Sequence, residues 1–450
     1  MLGREGQEGP MERVWIRNGW VFTGGDHPRA FAGGVLCQGA RIERVGPDPE
    51  LQPLATGAEE LDAGGRLILP GFINAHMHLY STLSRGMGLK DPPPADFNQI
   101  LERLWWRLDK QLTLADLGPS AELPLLDALR AGVTTVLDHH ASPRAIDGSL
   151  DVLAEAAQRL GVRFSTCYEV SDRDGPEAFR AGLAENLRFA RRVKGEPMLA
   201  AMFGLHASFT LSDESLRACA DAARGATLAC HVHVAEAASD AADARRRGAA
   251  GPLARLAALG ALPPGSLAVH CVHTHMDEWA LLRRADGYAV HNPQSNMNNA
   301  VGAAPVEAMQ AAGVRVGLGT DGMQADVRQD ARAAFLLMHH RTADPRTAWG
   351  ELGGLLAVNR ELASRLFGVR LGALEPGAAA DVVVYEHHPP TPLDAGNFLG
   401  HLLFGLYQVP ARDVVVGGRV RLRAGEAPGV DPAALAARAR ALAVELWRRF

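Results

Sequence analysis

Between Leu67 and Leu318 short apolar, β-type runs alternate with longer stretches of helical character. The runs are Leu67 to Ile73, Val133 to Leu137, Val162 to Tyr168, Leu199 to Leu205, Thr227 to Val234, Leu267 to Val272, Tyr288 to Val290 and Val314 to Leu318. Near-continuous apolar strands are what a parallel sheet covered on both faces requires. Eight of them with intervening helices predict an α/β fold, a (β/α)₈ TIM-type barrel. Before it, from about Glu12 to Leu69, the chain shows short β runs (Val14 to Ile16, Gly34 to Cys37, Arg41 to Val45) punctuated by Gly and Pro. Such runs return at Ala380 to Tyr385 and Asp413 to Val420. The two ends are therefore expected to pair into one small β-sandwich-like domain, residues 11–69 with 372–427, into which the barrel, 70–371, is inserted. Residues 428–450 read as a terminal helix, and residues 1–10 as a disordered extension.

A chain of 450 residues, 47% of them hydrophobic, is long enough for a barrel and one companion domain. Its 46 basic and 51 acidic residues, net charge −5, supply no polycationic footprint, so neither nucleic acid nor an acidic membrane is the expected partner; a small molecule is. Five scattered cysteines, Cys37, Cys167, Cys219, Cys230 and Cys271, form no CxxC pair and suit a reducing cytoplasm. No signal-type apolar core and no apolar run of about 18 residues is seen, so neither secretion nor a membrane span is expected.

The barrel reading gives meaning to the acids and imidazoles at the C-terminal ends of these runs, because that end is where barrel enzymes build their sites. His76 and His78 stand two apart at the end of the first strand, so both point to one face and can share an ion. An HxH pair alone is a weak signal. His233 ends the fifth strand, and Asp321 the eighth, where a third imidazole and a carboxylate can reach the same axis. Three imidazoles and one carboxylate suit Zn²⁺ or Fe²⁺ better than the all-oxygen shells of Mg²⁺ or Ca²⁺.

The motifs PGFINAHMH, HVHVAE, AVHCVHT, HNPQSN and GLGTDG, followed by Gly372 to Asp381, occur in order over nearly the whole chain. They resemble the amidohydrolase superfamily, in its aminohydrolase branch of heterocycle deaminases and chlorohydrolases. Leu104 to Asp109, Asp138 to Pro143, HNPQSNMNNAVG and Asn397 to His401 look most like the aminohydrolases called SsnA, a group linked to selenium and purine metabolism. The resemblance implies one metal ion rather than two. Binuclear members use a carbamylated lysine on the fourth strand, and the only lysines here are Lys90, Lys110 and Lys194. It puts His76, His78, His233 and Asp321 on the metal, with Glu236 and His270 around the reacting water. His231, on the same strand face as His233, is the rival ligand one layer deeper.

The implied reaction is hydrolysis of a carbon–nitrogen bond outside peptides, deaminating an amino-substituted purine, pyrimidine or related ring. The ion would lower the pKa of bound water towards about 7 and so supply hydroxide. Asp321 would accept its proton, His270 would orient it, and Glu236 would protonate the ring and the departing amine. His206, His291, His139 and Trp106 are the expected substrate contacts; Trp105, Glu169, Asp172 and Arg173 have equally good structural readings. Hydrolytic dechlorination, or other C–N hydrolysis at the same site, is the alternative chemistry. The usual SNLKLxxG of the branch stands here as Ser295 to Gly302, which departs from it in a loop expected at the pocket mouth. A non-catalytic barrel in a selenium- or purine-linked redox pathway is the reading from another class, and the intact ligand set argues against it. Relatives of this architecture often form dimers or higher homo-oligomers.

Overall fold

The computed structural model describes residues 12–450, and the expected disordered extension lies outside them. The chain clusters into two compact units, one comprising the residues up to Gly71 with Gly368–Pro428, the other Phe72–Phe367 with Gly429–Phe450.

The first unit opens with β1 (Arg13–Phe22), β2 (Ala30–Gln38) and β3 (Arg41–Gly46), an antiparallel run, followed by β4 (Glu59–Asp62) and β5 (Leu67–Pro70), which both lie parallel to β1. Alternation along β1 explains its two faces: Val14 and Ile16 enter a core with Val35, Ile42 and Ile68, while Trp15 packs with Leu36, Leu51 and Ala55.

The second unit begins with β6 (Phe72–Met77), β7 (Val133–Asp138), β8 (Arg163–Thr166) and β9 (Leu199–Ala201), all parallel. It continues with β10 (Phe203–Ala207), β11 (Cys230–Val234), β12 (Leu267–His270), β13 (Tyr288–His291) and β14 (Val316–Leu318), also parallel. These are the eight strands of a (β/α)₈ barrel, the fourth being split at Met202 into β9 and β10. The seam between β14 and β6 is joined at a parallel bridge, Met77 to Asp321. Buried Asn359, on the helix Trp349–Phe367, ties that seam: its Nδ2 donates to the carbonyls of Ile73 and Leu318, both at 2.8 Å, and its Oδ1 accepts from Leu318 N at 2.8 Å. An amide with both ends used by two strands fixes their register more tightly than apolar packing alone.

The chain then returns to the first unit through β15 (Val382–Tyr385), β16 (Ala411–Val416) and β17 (Arg419–Leu422). Antiparallel pairing of β15 with β5 joins both ends of the chain in one eight-stranded sheet. One expectation is corrected here. Leu67 to Ile73 is not a single barrel strand: Leu67–Pro70 belongs to this sheet, and the first barrel strand starts at Phe72. The terminal helix Pro432–Arg449, capped by the Asp431 carboxylate on the amides of Ala433 and Ala434, clusters with the barrel. Among the described residues no helix is long and apolar enough to cross a membrane. All five cysteines are buried and free.

Candidate metal centre and active site

The ends of β6 and β11 place His78 and His233 face to face, with their Nε2 atoms 3.1 Å apart. Each ring is fixed from behind by a backbone carbonyl: His78 Nδ1 lies 2.6 Å from His139 O, and His233 Nδ1 lies 2.8 Å from His206 O. A carbonyl can only accept, so both Nδ1 atoms carry the proton and both Nε2 atoms present lone pairs. Two lone pairs aimed at each other at this distance repel unless a cation stands between them. His76 lies beside them, held by another ring rather than by a carbonyl. Its Nδ1 is 2.8 Å from His231 Nε2, and its own Nε2 is buried with no hydrogen-bond partner. Asp321 closes the set, Oδ1 lying 3.3 Å from His78 Nε2 and 3.8 Å from His76 Nε2. Burial pushes His76, His231 and His233 well below the ordinary imidazole range, and the neighbouring rings add to this. Neutral imidazoles beside a carboxylate form the donor set of a divalent metal ion.

The other half of the site meets this one at Asp321. His270 Nε2 lies 3.3 Å from Glu236 Oε2 and 3.8 Å from Asp321 Oδ2. Asn296 Nδ2 donates to His270 Nδ1 at 2.8 Å, which makes Nε2 the ring's N–H. Burial, followed by the Asp321 charge, raises the Glu236 carboxyl well above its ordinary range, and Asn299 Nδ2 holds its Oε1 at 3.2 Å. Burial also pushes Asp321 up, but His78 and His270 outweigh it, aided by donors from Ser295 Oγ and Gly322 N, and the group is held below its usual value. Left-handed backbone at Ala235 (φ 48°), His270 (φ 72°) and Asp321 (φ 55°) turns these strand ends into the site, strain of the kind stored where function needs it. Asp240 Oδ2 accepts from Ala235 N at 2.6 Å and holds the first of these turns.

A cavity of about 480 Å³ opens over the centre. His78, His233, His270, Glu236 and Asp321 form its floor, with His206, Glu169, Asp109, Trp105 and Trp106 along its wall. Leu101–Trp105 forms a π-helix, a widened turn often found at functional sites. His206 Nδ1 is tied to Thr210 Oγ1 at 2.7 Å, and burial lowers its pKa to about 3. Two of the expected substrate contacts are not among the residues that line the cavity. His139 does not line the cavity, because its Nε2 is taken by His231 O at 3.0 Å and its Nδ1 lies against Glu169 Oε2 at 3.3 Å. His291, at the end of β13, does not line it either; it is buried beneath, and burial lowers its pKa to about 3. His231 sits behind His76, one layer deeper than His233. Sequence reasoning assigned no role to Ser295, Asn296, Asn299 or Asp240, which orient Asp321, His270, Glu236 and the Ala235 turn.

Comparison with known proteins follows the same lines. The amidohydrolase family profile matches residues 67–421. A 5-methylthioadenosine/S-adenosylhomocysteine deaminase of Desulforudis audaxviator is 32% identical over 430 residues, covering 93% of this chain and 95% of the relative. A 5'-deoxyadenosine deaminase of Methanothermobacter thermautotrophicus is 28% identical over 423 residues, covering 92% and 95%. Among solved structures, an adenosine deaminase from Xanthomonas campestris with bound zinc superposes with a TM-score of 0.83 at 24% identity, covering 98% of this chain and 99% of that one.

Proposed function

The chain belongs to the amidohydrolase family, and on that premise we propose that it is a zinc-dependent deaminase that replaces the ring amino group of an adenosine-type nucleoside by oxygen and releases ammonia. The observation that carries the reading is the pair of proton-locked imidazoles, His78 and His233, whose lone pairs converge beside Asp321 under an open cavity. His76, His78, His233 and Asp321 would hold the ion; three nitrogens and one oxygen suit Zn²⁺, with Fe²⁺ the alternative. When bound, the ion supplies Lewis acidity and lowers the pKa of water at neutral pH.

The protein's own groups divide the remaining work. Asp321 Oδ2, held by Ser295, takes the proton of the attacking water. His270 Nε2–H donates towards the oxygen that develops charge at the ring carbon. Glu236 carries a proton at its carboxyl and gives it to the ring nitrogen beside that carbon; the proton taken up by Asp321 completes the departing ammonia, and the second water proton, lost as the carbonyl forms, returns to Glu236. The balance is one water consumed, one C–N bond broken and one carbonyl formed. Five free, buried cysteines support a reducing compartment such as the cytoplasm.

Metal analysis of the purified protein with ammonia release from adenosine, 5'-methylthioadenosine and 6-chloropurine riboside tests this. One zinc per chain and turnover of the amino substrates, lowered about 10²–10⁴-fold in Glu236→Gln, is the expected result. Turnover of the chloro compound alone would overturn the deaminase reading.

A further inference from the structure

The loop after the seventh barrel strand departs from the branch pattern SNLKLxxG, and the departure puts Asn299 where that pattern has its second leucine. Ser295, Asn296 and Asn299 share one turn, the helix Pro293–Asn298 with its C-cap, and Asn299 N donates to Ser295 O at 2.9 Å. Their side chains meet three different groups of the centre. Ser295 Oγ donates to Asp321 Oδ2, Asn296 Nδ2 to His270 Nδ1, and Asn299 Nδ2 to Glu236 Oε1. Ser295 and Asn296 stand as the branch pattern has them. Asn299 is the departure, because a leucine there offers Glu236 no hydrogen bond.

Counting protons fixes the direction of each bond in this row. Asp321 is held below its usual range, so Oδ2 is a carboxylate oxygen and can only accept. The single hydroxyl proton of Ser295 therefore goes to Asp321, and Ser295 Oγ faces Asn299, 3.4 Å away, as an acceptor. The atom that Asn299 turns towards Ser295 must then be the donor, Nδ2, while its Oδ1 accepts from Asn298 Nδ2 at 3.2 Å. The same Nδ2 meets Glu236 Oε1 at 3.2 Å, so Oε1 is an acceptor and a proton on this carboxyl resides on Oε2. Oε2 lies 3.3 Å from His270 Nε2, which already carries the ring's proton, so the proton of the acid turns away from that ring. Glu236 lines the cavity, the side from which a substrate ring arrives.

We propose that Asn299 is a positioning residue of the reaction: through Ser295 it ties the orientation of the Glu236 carboxyl to the Asp321 carboxylate, so that Oε2 delivers the proton to the ring nitrogen. The inference rests on the deaminase reading above for the proton's destination, though not for the bond that Asn299 makes. Acid and base are thereby set in register before substrate binds, and preorganisation of this kind acts on the chemical step rather than on ground-state binding.

The test is a double-mutant cycle on the zinc-loaded protein, read by ammonia release from adenosine and 5'-methylthioadenosine, with zinc content as the control. Asn299→Leu installs the residue of the branch pattern and removes the donor. A lost hydrogen bond to the acid predicts kcat lowered about tenfold with KM within about twofold. In a Glu236→Gln background, where there is no proton to orient, the same change should cost less than about twofold. Asn299→Asp, of the same shape without the N–H, repeats the cycle with the same result expected, so a leucine that disturbs the fold does not shelter the proposal. Infrared spectroscopy reads the bond without turnover: the C=O stretch of the protonated Glu236 carboxyl, assigned by its loss in Glu236→Gln, should move to higher wavenumber in Asn299→Leu. An equal loss of kcat in both backgrounds, an unmoved band, or no band assignable to Glu236 overturns the inference and leaves the deaminase reading intact where ammonia is released. A moved band with no ammonia released by wild type overturns the deaminase reading and supports Asn299 as the residue that orients the acid. Neither ammonia nor a moved band overturns both.

Discussion

His231 and His233 share one strand and one residue type, yet different nitrogens of the two are engaged. His233 is fixed through Nδ1 and presents Nε2 to His78, while His231 gives its Nε2 to His76. A ligand and its supporter should therefore respond differently to the same substitution. His233→Asn is expected to abolish stoichiometric zinc in the purified protein, whereas His231→Asn retains the site with affinity lowered about 10–100-fold, the usual cost of losing an outer partner. Zinc titration against a competing chelator reads both; equal losses would remove the distinction. The residues that converge at the centre, His76, His78, His233 and Asp321, were legible as a group because HxH, HxxE and TDG patterns sit at the ends of apolar runs. Ser295, Asn296 and Asn299 were not, because their roles arise only when the helix Pro293–Asn298 and the turn after it bring them beside Asp321, His270 and Glu236. The segments that resemble the SsnA aminohydrolases, Leu104 to Asp109 and Asp138 to Pro143, contribute Trp105, Trp106 and Asp109 to the cavity wall and His139 behind it. A further residue-scale consequence concerns Asp330, whose carboxyl is raised from 3.8 to about 7 by burial despite donors from Gln294 and Gln324. Between about pH 4 and 7 the folded state binds this proton more tightly than the unfolded chain, so its contribution to stability is complete below that window and is lost as pH rises through it. A rise of that size bounds the loss at about 4 kcal/mol. Asp330→Asn should flatten the stability profile across that window in chemical denaturation at stepped pH; an unchanged slope would show that Asp330 is not its source.

At the scale of elements, periodicity locates the strands but misjudges two of their boundaries. Leu67 to Ile73 is apolar on both sides of Pro70 and Gly71, so hydrophobicity alone runs the two parts together; the Pro-Gly pair is the mark that the first part, pairing with β1 and β15, ends before β6 begins. The fourth strand reads as one run, and no polar residue marks its break at Met202. The terminal helix reads in the sequence only as a packing element. Its Trp447 Nε1 donates to Leu83 O at 2.7 Å, in the 3₁₀ segment Leu79–Ser84 that brings Tyr80, Ser81 and Ser84 to the cavity. Arg107, one residue beyond Trp106, donates to Phe450 O at 2.9 Å and stands over the Phe450 ring. The helix thus steadies two parts of the cavity wall. Trp447→Phe keeps the ring packing and removes one hydrogen bond, about 1 kcal/mol. A severalfold rise in KM with kcat within about twofold is expected from steady-state kinetics; a change confined to kcat would assign the helix a different role.

For the whole molecule, the centre also has a structural consequence, because the residues proposed to hold the ion come from parts of the barrel far apart in sequence. His76 and His78 belong to the β6 end, His233 to β11, and Asp321 to the turn after β14, beside the seam that Asn359 ties. An ion bound there links both sheet halves at one end of the barrel. Without it, the opposed lone pairs of His78 and His233 at the cavity floor and the partnerless, buried Nε2 of His76 are each an unfavourable term for the folded state. The unfolded chain does not assemble these groups, so binding free energy appears as folding free energy. At a free metal concentration a thousand times Kd the stabilisation is about 4 kcal/mol. The small β unit contributes no ligand, since His76, His78, His233 and Asp321 all lie within Phe72–Phe367. Chelation should therefore lower the unfolding temperature of the barrel and leave that of the β unit in place, so that a transition single in the metal-loaded protein separates into two in calorimetry. Stoichiometric zinc should merge them again. Equal destabilisation of both units by the chelator would mean that they unfold as one cooperative body, and no change in either would mean that the imidazole cluster is stable without an ion, contrary to the proton assignments that its carbonyl contacts impose.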